Sequence, residues 1–392
     1  MATANDRIFY ACQAVAITNR GNDAPVKADM VHGLQSVGIT TNFNLEQAFE
    51  LGQIEIYENI EGTPDVEVTL EKVLDGDPLI YHMATVGIDG TVGGSGLAGR
   101  SKARSDIRLG IFDDDNNNLL AGGEDAQSEV YCSGMYVSSV SYTLPVDGSS
   151  TESITLVGNN KTWLAQGAGY TNPKIASEDV EDFSGSDTPM AMGVVGAHSG
   201  GVQQREDVVL SGSILPASIF GVITTGYANG LNTSTNEPRI HLQNITVSTD
   251  FSREDILELG RKTPYARPAA FPIEVTCEIE AVTTSGDFVN AYEFGDPNLH
   301  GTISSGNNTS NEDIFIYTKG GYAFDLGSSN RLASVSYGGG DATGGNASCT
   351  YSYTNFNDLD VQNIKNGYCG HEHLKGAGTQ KYGDLPPGAR NQ

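Results

Sequence analysis

The chain contains two stretches of similar sequence that lie in different halves of its 392 residues. Residues 34–52 read LQSVGITTNFNLEQAFELG, and residues 242–260 read LQNITVSTDFSREDILELG. Aligned without gaps, eight of the nineteen positions are identical, whereas chance would give about one or two at ordinary composition. The identical pairs are Leu34/Leu242, Gln35/Gln243, Thr41/Thr249, Phe43/Phe251, Glu46/Glu254, Glu50/Glu258, Leu51/Leu259 and Gly52/Gly260.

Further matches follow in the same order along both halves. Residues 66–72, VEVTLEK, parallel residues 273–280, IEVTCEIE, and the Ser-Val-Ser-Tyr of residues 139–142 recurs at residues 334–337. A conserved order of elements is typical of a duplicated domain. The predicted division is a first β unit at 1–168, a linker at 169–206, a second β unit at 207–361 and a polar C-terminal arm at 362–392.

The residue patterns predict a mainly β fold in two tandem units. Val66, Val68 and Leu70 alternate with polar residues, as in a half-buried strand. A turn at Asp147-Gly148 lies between two such runs and indicates a hairpin. The 48 glycines, together with many Ser, Thr, Asn and Asp residues, favour short strands joined by turns.

Each repeat also predicts one short helix. Asn44 and Ser252 stand where an N-cap is expected, and Gly52 and Gly260 stand where a helix C-terminus favours a left-handed residue. We expect an apolar stripe on these helices to cover the sheet. The residues assigned to this packing are Leu45, Phe49, Leu51, Ile256, Leu257 and Leu259.

The formal net charge of −27 limits the classes of partner. Such a surface repels phosphates, so sequence-specific DNA binding and adsorption to anionic membranes are not expected. The same repulsion suits a conduit through which DNA slides without sticking. General solubility explains an acidic balance equally well.

The cysteines and the apolar runs bear on compartment. Five cysteines are widely spaced without a CxxC pair, which favours free thiols and a reducing compartment during synthesis. The N-terminal MATANDRIFYACQAVAI lacks the pattern of a signal peptide, and no run of 18 apolar residues predicts a membrane span.

Two segments are candidates for metal binding. Asp113, Asp115, Asn117 and Glu124 have a spacing similar to that of a calcium loop, although strand-like flanks favour a solvated hairpin tip. Cys369, His371 and His373 alternate, but a fourth zinc ligand is not apparent.

Catalytic patterns are weak throughout the sequence. No GxSxG elbow occurs, and the glycine-rich runs at 93–96 and 338–340 lack the Lys-Ser/Thr of a phosphate loop. The sequence therefore predicts neither an enzyme nor a cofactor.

Residues 31–85 and 133–160 resemble the tail tube proteins, also called major tail proteins, of long-tailed bacteriophages. The resemblance implies a β-sandwich or barrel unit with a short helix, here present twice in tandem, whose sheets join those of neighbouring subunits into stacked rings around a channel for double-stranded DNA. A long loop or arm would link successive rings. The chain would be synthesised in the host cytoplasm and would reside in the virion tail with other tail proteins.

The predicted duplication leaves two ring compositions open. Three duplicated chains could fill six positions with pseudo-sixfold symmetry, or six chains could use the first unit for the channel and the second for decoration. Other functions also remain open: a baseplate, decoration or capsid protein, a carbohydrate-binding adhesin, or a β-rich hydrolase.

Overall fold

A computed structural model describes residues 7–19, 29–52, 54–85, 97–112, 126–165, 201–210, 213–216, 240–260, 263–283, 287, 289, 311–340 and 345–363. The expected mainly β architecture is confirmed. The candidate calcium residues Asp113, Asp115, Asn117 and Glu124 lie outside the described residues. Cys369, His371 and His373 lie outside them too, as do most of the predicted linker and arm.

Eight antiparallel strands form the main sheet, and their spatial order repeats. The sheet consists of two groups of four strands that follow one another along the chain. In each group the strand that comes fourth in the sequence lies between the second and the third. The strands are, in spatial order, β3 (Leu34–Asn42), β6 (Asp65–Val73), β9 (Thr151–Gly158), β8 (Ser128–Pro145), β11 (Ile240–Asp250), β12 (Glu274–Thr283), β16 (Ser348–Phe356) and β15 (Arg331–Gly338). We call the first four strands the first group and the last four the second group.

The other strands flank the main sheet. The long strand β8 also pairs along its first half with β7 (Ser105–Ile111) and β10 (Thr162–Ala165). Strand β7 pairs in turn with β1 (Gln13–Asn19), and β1 pairs with β2 (Asp29–Met30). A three-stranded sheet of β13 (Phe315–Tyr317), β14 (Tyr322–Asp325) and β17 (Asp360–Asn363), and a hairpin of β4 (Leu45–Phe49) and β5 (Ile56–Glu61), complete the described strands.

One continuous apolar core runs beneath both groups. Its members alternate along the strands, as period-two burial requires. Val68 and Leu156 in the first group and Cys277 and Tyr353 in the second are essentially inaccessible to solvent. Residue Gln203, inside the predicted linker, is also buried, and its backbone N–H donates to Leu74 O at 2.7 Å.

The predicted helices at 44–52 and 252–260 are wrong. Residues Leu45–Phe49 form strand β4, which pairs with β5 (Ile56–Glu61). In the second repeat, bridges at Arg253↔Ala269 and Ile256↔Ala266 give a similar extended arm. We call these segments, residues 44–62 and 252–270, arm 1 and arm 2.

Local side-chain hydrogen bonds explain this correction. The backbone N–H of Asn44 donates to Asn42 Oδ1 at 3.2 Å, and that of Ser252 donates to Asp250 Oδ1 at 2.7 Å. These Asx turns place Asn44 and Ser252 at φ 47° and 43°, which turns the chain out of the sheet instead of starting a helix. Gly52 and Gly260, at φ 96° and 91°, lie in the arms' turns.

The α-helices in the described part of the chain are both in its first half. They are α1 (Ile80–Thr85) and α2 (Leu97–Arg100). Helix α1 begins at a cap supplied by strand β9, because the backbone N–H groups of Ile80 and Tyr81 donate to the Glu152 carboxylate at 2.7 and 3.1 Å. Burial raises the pKa of Glu152, against the lowering effect of these bonds.

Candidate assembly interface

The two groups of the main sheet meet where β8 pairs antiparallel with β11, and we call this contact the internal seam. Its register places Val247 opposite Tyr142 and Ser248 opposite Ser141. The apolar side chains of the seam are fully buried: Tyr142 and Val247 are each 1% exposed, and Phe251, just past β11, is 1% exposed. The seam is therefore a packed junction.

Arg253, at the start of arm 2, forms hydrogen bonds across this seam. Its guanidinium donates to Val137 O at 2.8 and 2.6 Å and to Ser101 O at 2.6 Å. The guanidinium carbon also lies 5.2 Å from the ring centroids of Tyr136 and Phe251. Burial lowers the pKa of Arg253 to about 10, so the side chain stays charged at neutral pH.

Arg267 makes a second connection across the seam. The guanidinium lies 2.5 Å from an Asp65 oxygen of the first group and 2.8 Å from an Asp255 oxygen of its own arm. Arg267 is 7% exposed, whereas the two carboxylates are partly exposed. The two arginines thus bind arm 2 to the first group.

The outer strands of the main sheet, β3 and β15, are the sequence counterparts of β11 and β8. In the part of the chain that the structure describes, β3 pairs with β6 alone and β15 pairs with β16 alone. We call these two strands the open edges. A strand edge of this kind presents backbone groups ready to pair with another chain.

The counterparts differ sharply in exposure. Phe43 is 62% exposed, whereas Phe251 is 1% exposed. Tyr337 is 54% exposed, whereas Tyr142 is 1% exposed. The open edges therefore expose aromatic side chains that the internal seam buries.

Arm 1 lacks the arginines that fasten arm 2. The two arms can be aligned by their cross-strand pairs, since Leu45 pairs with Glu61 in arm 1 and Arg253 pairs with Ala269 in arm 2. In this alignment Leu45 takes the position of Arg253, and Asn59 takes that of Arg267. Arm 1 also projects exposed apolar side chains, among them Phe49 at 69% and Leu51 at 103%.

The main sheet has one apolar and one polar face. The polar face carries hydroxyl side chains and carboxylates at partly or fully exposed positions. Residues on this face include Thr40, Glu67, Glu71, Ser141, Thr143, Ser153, Thr155, Thr246, Ser248, Glu278, Glu280, Ser336 and Ser352. Among the described residues of these strands, the lysine or arginine side chain on this face is Arg331, which lies at the start of β15 and donates to Asn311 Oδ1 at 3.0 Å.

The residues that the sequence assigned to helix packing lie on the arms instead. Leu45 is 63% exposed, and the copy-two residues Ile256, Leu257 and Leu259 are 48%, 72% and 101% exposed. They cover no sheet in the described structure. The seam arginines and the polar face were not identified from the sequence, although the strict alternation of residues 66–72 did indicate a polar side.

The described residues hold neither a cluster of potential metal ligands nor a membrane-spanning helix. They contain no group of three or more His, Cys, Asp or Glu placed to hold a metal ion. No helix in the described ranges has the length and apolar character needed to cross a membrane. The described cysteines Cys12, Cys132, Cys277 and Cys349 are buried free thiols.

Comparisons with known proteins give structural matches alone. No family model matches the chain, and no curated protein matches its sequence. The tube-terminating cap of the anti-feeding prophage is 12% identical over 42% of this chain and 94% of its own, with a TM-score of 0.29. A chain of the sheath–tube complex of an extracellular contractile injection system is 12% identical over 41% of this chain and 93% of its own, with a TM-score of 0.28.

A further match is an Hcp protein, which is 7% identical over 39% of this chain and 98% of its own, with a TM-score of 0.22. All these TM-scores are below 0.5. The function proposed below therefore depends on the geometry of the seam and the open edges.

Proposed function

We propose that the chain is a non-enzymatic structural subunit of a tail tube, which joins copies of itself edge to edge into a closed ring. The observation that supports this is the relation between the seam and the open edges. Strands β8 and β11 pair inside the chain, and their sequence counterparts β15 and β3 lie at the two outer edges of the same sheet.

Two complementary edges on one chain lead to a ring or an open filament. The contact is heterologous, because β15 of one copy meets β3 of the next, and it closes if the rotation per copy divides a full turn. Closure removes both open edges. If each chain supplies two related units, three chains fill six positions, and we propose this composition over a ring of six chains.

The polar face of the sheet is proposed to line the channel. Glu67, Glu71, Glu278 and Glu280 lie on it among hydroxyl side chains. Double-stranded DNA would be repelled by these carboxylates and would find few basic side chains to bind. The DNA could then pass through without specific contacts.

The arms are proposed to join stacked rings. Arm 1 exposes Phe49, Leu51, Ile54 and Tyr57, each more than half accessible in the isolated chain. Exposed apolar side chains at this density mark a surface that binds another protein. We place the stacked rings in the virion tail of a long-tailed bacteriophage, with other tail proteins at the ends of the tube and synthesis in the host cytoplasm.

Negative-stain electron microscopy of the purified chain tests this function. We expect rings or hollow filaments with an axial repeat from the unmodified chain. Tyr337→Asp should abolish them while the monomer stays folded, because it places a charge on an open edge. Lys102→Gln, an exposed change with the same effect on net charge, should leave assembly intact. Dispersed monomers from the unmodified chain at high concentration would refute the proposal.

A further inference from the structure

We infer that β15 of one copy pairs antiparallel with β3 of the next copy in the register of the internal seam, with Tyr337 opposite Ile39. This inference rests on the proposed function and specifies the partner surface of its open edges. The partner is a second copy of the same chain. The register of this pairing follows from two shifts in strand pairing that occur at matching positions in both groups.

The first irregularity fixes the correspondence between β8 and β15. The pairing of β8 with β9 shifts between Val137 and Ser139, and that of β15 with β16 shifts between Leu332 and Ser334. Both shifts directly precede a Ser-Val-Ser-Tyr sequence. A β-bulge is a specific feature of a strand, so its position aligns Tyr142 with Tyr337 without reference to the loops.

The second irregularity fixes the correspondence between β3 and β11. The pairing of β3 with β6 shifts between Leu34 and Ser36, and that of β11 with β12 shifts between Leu242 and Asn244. The Asx turns at Asn44 and Ser252 mark the other end of each strand. Ile39 is therefore the counterpart of Val247.

These correspondences transfer the seam register to the open edges. Val247 lies opposite Tyr142 in the internal seam, so Ile39 should lie opposite Tyr337. Ser248 lies opposite Ser141, so Thr40 should lie opposite Ser336. A shift of one residue would reverse the faces of the incoming strand, and the buried face of β3 forbids that.

The side chains agree with this register on both faces. On the core face, Tyr337 would cover the half-buried Ile39, as Tyr142 covers Val247. On the polar face, Thr40 and Ser336 are exposed and would continue the row of hydroxyl side chains across the contact between β15 of one copy and β3 of the next, which we call the joint. The aromatic ring of Phe43 would be buried at the end of the joint, as that of Phe251 is.

The joint between copies should be the weaker of the two. It lacks the contacts of Arg253 and Arg267, whose positions in arm 1 hold Leu45 and Asn59. Three glycines, Gly338–Gly340, also replace the Thr-Leu-Pro of β8, and glycine lowers strand stability. The internal seam would hold while the joint between copies opens.

Engineered disulfides test the register in the full chain. The background is Cys369→Ser, since the cysteines described by the structure are buried. Thr40→Cys with Ser336→Cys should shift the monomer band into interchain products up to three chains under mild oxidation. Directly opposed strand residues have the Cα separation of about 4.5–5.5 Å that a disulfide needs.

Two matched pairs serve as controls. Ser141→Cys with Ser248→Cys lies opposite within the internal seam and should form an intrachain bond without interchain product. Thr40→Cys with Ser334→Cys lies on the same polar face but two residues out of register, and it should stay reduced under the same oxidation.

The outcomes separate the register from the function. Crosslinking of the Thr40/Ser336 pair alone supports the register. Rings that crosslink through Thr40/Ser334, or through neither pair, overturn the register and leave the ring standing. If micrographs show no rings and neither pair crosslinks, both the register and the proposed function are overturned.

Discussion

Phe251 and Phe43 occupy the same place in two repeats and have opposite environments. Phe251 is 1% exposed beside the internal seam, whereas Phe43 is 62% exposed at an open edge. Their neighbours in sequence are similar, so the difference comes from what lies across the strand edge. Phe251 is buried because the first group of strands lies beside it across the internal seam. In the described part of the isolated chain, no group of strands lies beside Phe43 at the open edge.

The arms show the same contrast in their polar contacts. Arm 2 is fastened to the first group by Arg253 and Arg267, whereas arm 1 has Leu45 and Asn59 at those positions. A joint within one chain is permanent and can carry such fastening. In the isolated chain the apolar side chains of arm 1 stay exposed to solvent.

The largest expected difference is between two phenylalanine truncations. Phe251→Ala should lower the free energy of unfolding of the monomer by about 3–5 kcal/mol, because it removes a fully buried ring. Phe43→Ala should change it by roughly 0.5 kcal/mol or less. Urea denaturation of the dilute, unassembled chain measures both. Equal losses for the two variants would mean that the open edge is already covered within the chain.

The next difference concerns the arginine at the base of arm 2. Arg253→Ala should lower the free energy of unfolding by about 2–3 kcal/mol, because the carbonyl groups of Val137 and Ser101 lose a charged donor. Leu45→Ala, at the matching position of arm 1, should cost under about 1 kcal/mol, since that side chain is largely exposed. The same urea titration compares the two variants, and a negligible loss for Arg253→Ala would show that these hydrogen bonds do not stabilise arm 2.

His82 tests a second place where the two halves of the chain meet. The ring lies on α1, and its Nε2 is 2.8 Å from Val361 O of β17. Burial lowers the pKa of His82 from 6.5 to about 3, with a further lowering by Arg100. The folded chain therefore excludes a proton that the unfolded chain binds below pH 6.5, and this contribution to stability is present above pH 6.5 and is lost as the pH falls toward 3.

The expected pH effect is about 1 kcal/mol between pH 7.5 and pH 5.5. His82→Gln should remove this part of the pH dependence, and His241→Gln, at an exposed position, should retain it. Thermal or urea unfolding of the three proteins at both pH values measures the difference. A pH dependence that is unchanged in His82→Gln would contradict the buried, neutral ring.

The smallest expected effects are on the arms. Phe49→Asp and Leu257→Asp should each change monomer stability by roughly 0.5 kcal/mol or less, because both side chains are mostly exposed. The melting temperature measured by differential scanning fluorimetry checks this. A large loss for either variant would restore a packing role for these residues within the chain.

The sequence predicted the strands better than the segments between them. Alternation in residues 66–72 and the repeat at 334–337 led to the correct strands, because period-two burial is a local signal. The arms were predicted to be helices because Asn44 and Ser252 are good caps, but the side chains of Asn42 and Asp250 bind those backbone N–H groups first. Helix α1 was missed because its cap, Glu152, lies 72 residues away.

The candidate interface was only partly accessible to sequence reasoning. The repeated sequences predicted two related units whose strand edges need partners. These sequences contain parts of the strands of the internal seam and of the open edges. The strand order, which makes β8 and β11 neighbours and leaves β3 and β15 outside, depends on long-range pairing that no local pattern encodes. The same holds for Arg267, whose partner Asp65 is 202 residues away.

The most direct measurement is the number of chains in one ring, determined by native mass spectrometry of assembled rings and by cryo-electron microscopy of the same sample. We expect three chains per ring, with six similar positions around the channel. A ring of six chains, in which only one group from each chain borders the channel, would contradict it.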